Sequence, residues 1–171
     1  MCAYCMCRIN VNHNEVKIEH YKPRNVSNEL DYGNLLAVCT GTSAGTEKER
    51  QHCDTKKGDA TLHIDPQKIE HINQLSYSND GTILAKDNPV FTQDLNETLN
   101  LNDDYGYLKF NRQRALESLK KYLHKNYQGK KVPIADVSKL LNFYQNIQNG
   151  QHIEYCGILI YYLMKHWKKW I

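Results

Sequence analysis

A chain of 171 residues, 40% hydrophobic and 24% charged, is long enough for one buried core and has the balance of an ordinary soluble protein. Its net charge of +3 is too small to argue for a nucleic-acid partner by itself and does not exclude one, since the position of the charge decides. The longest apolar run, YCGILIYYLM (155–164), is about half the ~20 residues that span a bilayer, and the polar, cysteine-rich start lacks the apolar stretch of a secretory signal. No membrane is expected, and the expected location is cytoplasmic, where thiols stay reduced.

In chain order, MCAYCMC (1–7) comes first and holds three of the six cysteines. Residues 14–20 alternate, with Val16 and Ile18 on one face, which predicts a strand. A polar loop containing Pro23 leads to a second short apolar run, GNLLAVC (33–39). TGTSAGTEKERQH (40–52) reads as an exposed loop, and CDTKKGD (53–59) opens a short helix with Asp54 or Thr55 near its start. LSYSNDGTIL (75–84) has the form of a hairpin with Asp80-Gly81 in the turn. From about residue 91 the pattern is helical. Leu108, Arg112, Ala115, Leu116, Leu119 and Leu123 recur at 3–4 spacing, and Ile134, Val137, Leu140, Leu141 and Tyr144 mark a second helix entered through Pro133. Residues 152–170 form a third. Strands in front and helices behind make this an α+β chain.

Cys2 and Cys5 form a CxxC pair, the spacing with which one tight turn offers two thiolates to a tetrahedral ion. Cys39 and Cys53 are the natural second pair. The thirteen residues between them close at modest cost, because loop entropy grows only logarithmically with length. Such a set predicts structural zinc, with no open position for water. Cys7 offers the same donor as Cys5 two residues on, and Cys156 lies on an apolar helical face and belongs to the core.

Between these cysteines stand Glu19-His20, Asn34, Asp54 and Lys56-Lys57. Cleaving a phosphodiester requires a base to activate water, a role suited to histidine near neutral pH, and positive charge on the phosphate, which a cation held by carboxylates supplies. Each residue also has an ordinary role: a strand-end histidine, an aspartate at a helix start, a turn asparagine, two solvated lysines.

The succession CAYC, IEHYKP, DYGNLLAVC and HCDTKKGD resembles the HNH endonuclease superfamily with its ββα-metal fold. The resemblance is close to the PtuB-like branch, the nuclease subunits of Septu and some retron anti-phage systems. LHIDP, YSNDGTI, LNLN and the FNRQRAL helix resemble that branch too, so the likeness covers most of the chain. The resemblance implies a zinc-stabilised ββα-metal core over 1–65, a hairpin extension over 66–90 and a helical region over 91–171. It implies His20 as general base, Asn34 as the residue orienting it and its loop, and Glu19 and Asp54 as ligands of a catalytic cation. Lys57, with Lys56 beside it, would steady a phosphate, and Cys2, Cys5, Cys39 and Cys53 would form the zinc frame. Asp54 departs from the family, which places His or Asn there, and two carboxylates suit Mg²⁺ or Mn²⁺. Related proteins have residues ahead of the CxxC, where this sequence has only Met1.

His52 and Asp59 flank the motif as further donors to the metal shell, whereas His13 and His63 read as ordinary surface or turn histidines. The expected activity is hydrolysis of nucleic acid, with DNA favoured, beside a PtuA-like ATPase subunit that the helical back helps to contact. Truncation of 151–171 is then expected to weaken that complex more than catalysis. The tail KHWKKW (165–170) suits either a single strand or a docking helix. The alternatives are an RNA- or tRNA-cleaving toxin and a non-enzymatic zinc module that binds nucleic acid or docks a partner.

Overall fold

The structure is a computed structural model describing residues 1–10, 15–42, 47–105 and 107–170, the side chains of 168–170 excepted. His13 and part of the glycine-serine loop lie outside the described residues. The chain is mixed α/β with two small antiparallel sheets. Strands β1 (Val16–His20) and β2 (Leu35–Cys39) pair with Val16 opposite Cys39 and His20 opposite Leu35. The short helix α1 (Cys53–Lys57) packs on β2, so two strands and a helix follow one another in space as in sequence.

The strand expected from the Val16/Ile18 alternation is present, but Ile18 is 74% exposed, whereas Glu19 is 5% exposed. Side chains alternate across a strand, and here the face carrying Lys17 and Glu19 is the one covered by α1. The alternation is real, but its polar side faces the interior.

A one-turn helix, α2 (Ile69–Ile72), leads into the hairpin β3 (Leu75–Tyr77) and β4 (Ile83–Ala85). Asp80 accepts from the Thr82 amide at 3.1 Å, and Gly81 turns the chain at φ +88°. Helix α3 (Pro89–Gln93) starts with the Asn88 side chain accepting from the Phe91 amide and with proline in its first turn, where a missing N–H is harmless. A single π-type turn, Asp94–Thr98, follows.

Three longer helices complete the chain: α4 (Tyr107–Tyr127), α5 (Ile134–Gln145) and α6 (Cys156–Trp170). The expected stripe on α4 is buried at Leu108, Leu116, Leu119 and Leu123, and Arg112 lies within it at 2% exposure. Its guanidinium donates to the Gly81 carbonyl at 2.5 Å and the Leu101 carbonyl at 2.6 Å, clamping the hairpin turn under the helix. An arginine on an apolar stripe thus serves to tie two backbone segments together.

Helix α6 contacts α4, α5 and β3, and Tyr155, Ile158, Leu159 and Leu163 are core residues. Cys156 is buried as expected. The proposed truncation of 151–171 would therefore remove part of the core, so it tests folding rather than docking. The front and back halves are also tied directly: the Tyr155 amide donates to Met6 O at 3.0 Å and the Cys53 amide to Leu99 O at 2.9 Å.

Gly41 gives the sharpest steric prediction. Its φ is +64°, and a Cβ there would lie 2.1 Å from the His52 carbonyl oxygen. Gly41→Ala is expected to destabilise the fold by about 2–4 kcal/mol, the combined order of a left-handed non-glycine and an overpacked contact. Urea unfolding midpoints measure it; an unchanged midpoint would show that the 40–52 segment yields freely.

Candidate metal and catalytic site

Four cysteines from three separate segments converge. Cys2, Cys5, Cys39 and Cys53 are all buried, and their sulfurs lie within 4.8 Å of one another. The Cys2–Cys53 and Cys5–Cys39 separations are 3.9 and 3.8 Å. A tetrahedral ion with Zn–S bonds of about 2.3 Å gives sulfur–sulfur edges of about 3.8 Å, while a disulfide would need about 2.05 Å. The group fits a metal ion such as zinc.

The local chain explains the convergence. The Cys2 amide donates to Cys7 O and the Met6 amide to Cys2 O, closing a tight turn that Met6 completes at φ +63°. The Ala3 amide donates to Ala37 O, setting this turn on β2. Cys7 lies outside the group of four and is partly exposed. His52 Nδ1 sits 3.2 Å from Cys53 Sγ and 4.0 Å from Cys39 Sγ, so this histidine faces the sulfurs without belonging to the four. Hydrogen bonds from neighbouring thiols, Cys2 first, hold Cys39 far below the ordinary thiol range.

Four thiolates around a divalent ion leave two net negative charges. Burial pulls the Arg112 guanidinium down, and Cys5 and Cys53 are among the groups opposing that pull. Among the described ion pairs no carboxylate partners Arg112. Its bonds to the Gly81 and Leu101 carbonyls help to make a buried arginine tolerable here.

Glu19 and Asp54 are close enough that the Asp54 carboxylate raises the pKa of Glu19. Glu19 lies 2.7 Å from Lys57 Nζ, in a pair with both side chains almost fully buried, and accepts from Tyr4 OH at 3.2 Å. Asp54 lies 3.3 Å from Lys17 Nζ, which also donates to Thr55 Oγ1 at 2.9 Å. Two carboxylates and two ammonium groups thus balance in a small network. Burial first, then the neighbouring Asp54, pushes Glu19 up to about 7 against the pull of Lys57.

Lys57, expected to steady a phosphate, is instead held inward by Glu19, His20 O and Gly58 O. Lys56 reaches the Lys48 carbonyl at 3.1 Å. Asp59 is exposed and outside the cysteine group. Lys17 and Tyr4 are site residues that sequence reasoning missed; strand periodicity carried the signal for Lys17, two positions before Glu19 on the same face.

His20 ends β1 with its ring Nε2 3.0 Å from the Glu29 carbonyl oxygen. A carbonyl only accepts, so the nitrogen facing it carries the proton and Nδ1 keeps the lone pair. Asn34 is buried and does not touch that ring. Its Oδ1 accepts from the Lys22 amide at 2.7 Å and its Nδ2 donates to the Lys22 carbonyl at 3.1 Å. The Tyr21 amide donates to Asn34 O at 2.9 Å. Asn34 therefore pins the chain just beyond His20. Asn34→Ala is expected to cost about 1–2 kcal/mol, because it leaves the part-buried Lys22 amide and carbonyl without their partner; thermal denaturation measures it, and an unaltered melting temperature would dismiss the pin.

His63 is an ordinary histidine, with its ring and amide both directed at the buried Asp94, which also accepts from the Ile64 amide. Among the described residues no helix is long and apolar enough to cross a membrane. Compared with known proteins, the chain matches no family model, and no curated protein matches it significantly.

Proposed function

We propose that the chain is a metal-dependent endonuclease of the HNH, ββα-metal kind, with nucleic-acid phosphodiesters as substrate and DNA favoured. The observation that carries this is the proximity of Glu19 and Asp54, from a strand and a helix, with His20, the next residue after Glu19, in a tautomer that leaves Nδ1 free as a base. The strand–strand–helix order and the four-cysteine frame support it.

The paired oxygens of Glu19 and Asp54 suit a hard cation, Mg²⁺ or Mn²⁺, better than a soft one. When bound, that ion supplies Lewis-acid stabilisation of charge on the phosphate and the departing oxygen. Glu19 is oriented from behind by Lys57 and Tyr4. Lys17, whose side chain is 42% exposed, pairs with Asp54 and is the group a cation displaces. His20 Nδ1 takes the proton from the attacking water, and the Glu29 carbonyl steadies the imidazolium that results.

In this reading the chain is the effector of a defence complex, and a PtuA-like ATPase governs when it cuts. The test is to incubate the zinc-loaded chain with plasmid DNA and total tRNA in Mg²⁺ or Mn²⁺, with and without such an ATPase. Metal-dependent cutting of plasmid is the expected result. Cutting of tRNA alone would make it an RNA nuclease. No cutting under any condition would overturn the enzyme reading and leave a zinc module that binds nucleic acid or docks a partner.

A further inference from the structure

Two open clefts of about 430 and 420 Å³ lie on the cysteine-cluster side of the molecule. They share Asn111 and Tyr155, whose side chains are joined by a 3.1 Å hydrogen bond, so the two adjoin as parts of one groove. The first cleft runs past Thr40 and His52 to Arg50 and Tyr105; the second continues to Arg8 and Arg114.

Its chemistry is uneven in a telling way. Three arginines border it, and the one carboxylate lining it, Glu154, already accepts from the Arg8 amide at 2.7 Å. Tyr105 and Tyr107 are 75% and 78% exposed, far more than large aromatics need to be when they serve a core. Arg50 lies over the Tyr105 ring, with its other neighbour Glu47 at 3.5 Å on the open surface. Tyr107, Asn111 and Arg114 stand at i, i+4 and i+7 on α4, so one helix face presents them together.

The groove's edge is linked to the proposed catalytic residues by hydrogen bonds, although none of those residues lines it. The Thr40 carbonyl at its edge accepts from Thr55 Oγ1 at 2.6 Å, and Thr55 shares Lys17 with Asp54. Exposed aromatic faces interleaved with arginine are what a single strand needs: rings for its bases and cations for its phosphates.

Resting on the nuclease reading, we infer that this groove binds a single-stranded segment of the nucleic-acid substrate. Bases stack on Tyr105 and Tyr107, and Arg8, Arg50 and Arg114 follow the backbone.

The test measures binding separately from cleavage, by fluorescence anisotropy of a labelled oligothymidylate with the zinc-loaded full chain and no Mg²⁺ or Mn²⁺. The double variant Tyr105→Ala/Tyr107→Ala is expected to weaken binding roughly ten-fold or more, while Tyr105→Phe/Tyr107→Phe binds as the wild type does. Arg8→Gln/Arg114→Gln is expected to lower the salt slope of log Kd by about 0.7 per arginine. Tyr122→Ala, exposed further along α4, is the control and leaves binding unchanged. Circular dichroism and zinc content confirm that each variant is folded. Wild-type affinity in both Tyr105→Ala/Tyr107→Ala and Arg8→Gln/Arg114→Gln overturns the groove, as does failure of the wild type to bind the strand. Loss of contact with a protein partner alone, with strand binding intact, overturns it too. A chain that binds through these residues but never cuts in Mg²⁺ or Mn²⁺ keeps the groove and refutes the nuclease; one that cuts while the variants bind normally does the reverse.

Discussion

Stripping the metal from Cys2, Cys5, Cys39 and Cys53 is expected to unfold the front of the chain. The strands there are five residues each and α1 is five, too short to hold themselves. What joins the N-terminal turn, the end of β2 and the start of α1 is the sulfur cluster itself, set close to the backbone links from Met6 and Leu99. Structural zinc in small domains contributes apparent free energies of about 10–16 kcal/mol near neutral pH, as large as the whole stability of many domains. Treatment with a strong chelator, or Cys39→Ser, should therefore collapse the melting transition and release one zinc per chain. Cys7→Ser, outside the group of four, should leave both nearly unchanged. Because thiolates must be deprotonated to bind, metal release should also begin as the solution is made acidic. Circular dichroism and zinc content on the same samples measure this. Retention of the full melting transition after complete metal loss would remove the scaffold role.

The second large effect concerns His20. Its replacement by alanine is expected to lower the cleavage rate by about 10²–10⁴-fold, the usual loss for a general base. Stability and zinc should be little affected, since the ring is at the partly exposed end of β1 and its one described bond is to a loop carbonyl. Asn34→Ala should produce a different pattern, with loss of stability and a smaller loss of rate, because it acts on the chain after His20 rather than on the ring. Single-turnover kinetics with a labelled substrate separate the two. Equal rates for wild type and His20→Ala would assign the proton to another group.

Much of the frame was legible because its signals are local. Asp80-Gly81 marked the hairpin, the 3–4 spacing marked α4, and a CxxC with two later cysteines marked the metal group. What was not legible depends on distant partners. The alternation in β1 gave the strand but not its inward face, because the buried side is polar and earns its burial from Lys57, 38 positions away. That same pairing takes Lys57 off the surface, which its place in a charged run could not reveal. The acceptor that fixes the His20 tautomer is a backbone carbonyl, and a backbone carbonyl leaves no mark in residue identity. Likewise Arg8, Arg50 and Arg114 are scattered in the sequence and come to line two adjoining clefts only in the folded chain.

The pairing of Glu19 with Asp54 as a cation site is the point on which the proposed chemistry turns, and Mn²⁺ titration followed by electron paramagnetic resonance measures it most directly. Zinc-loaded wild type should bind one Mn²⁺ per chain, and Asp54→Asn should abolish that binding while retaining zinc and fold. Absence of Mn²⁺ binding in the wild type, or equal binding by Asp54→Asn, would contradict the assignment.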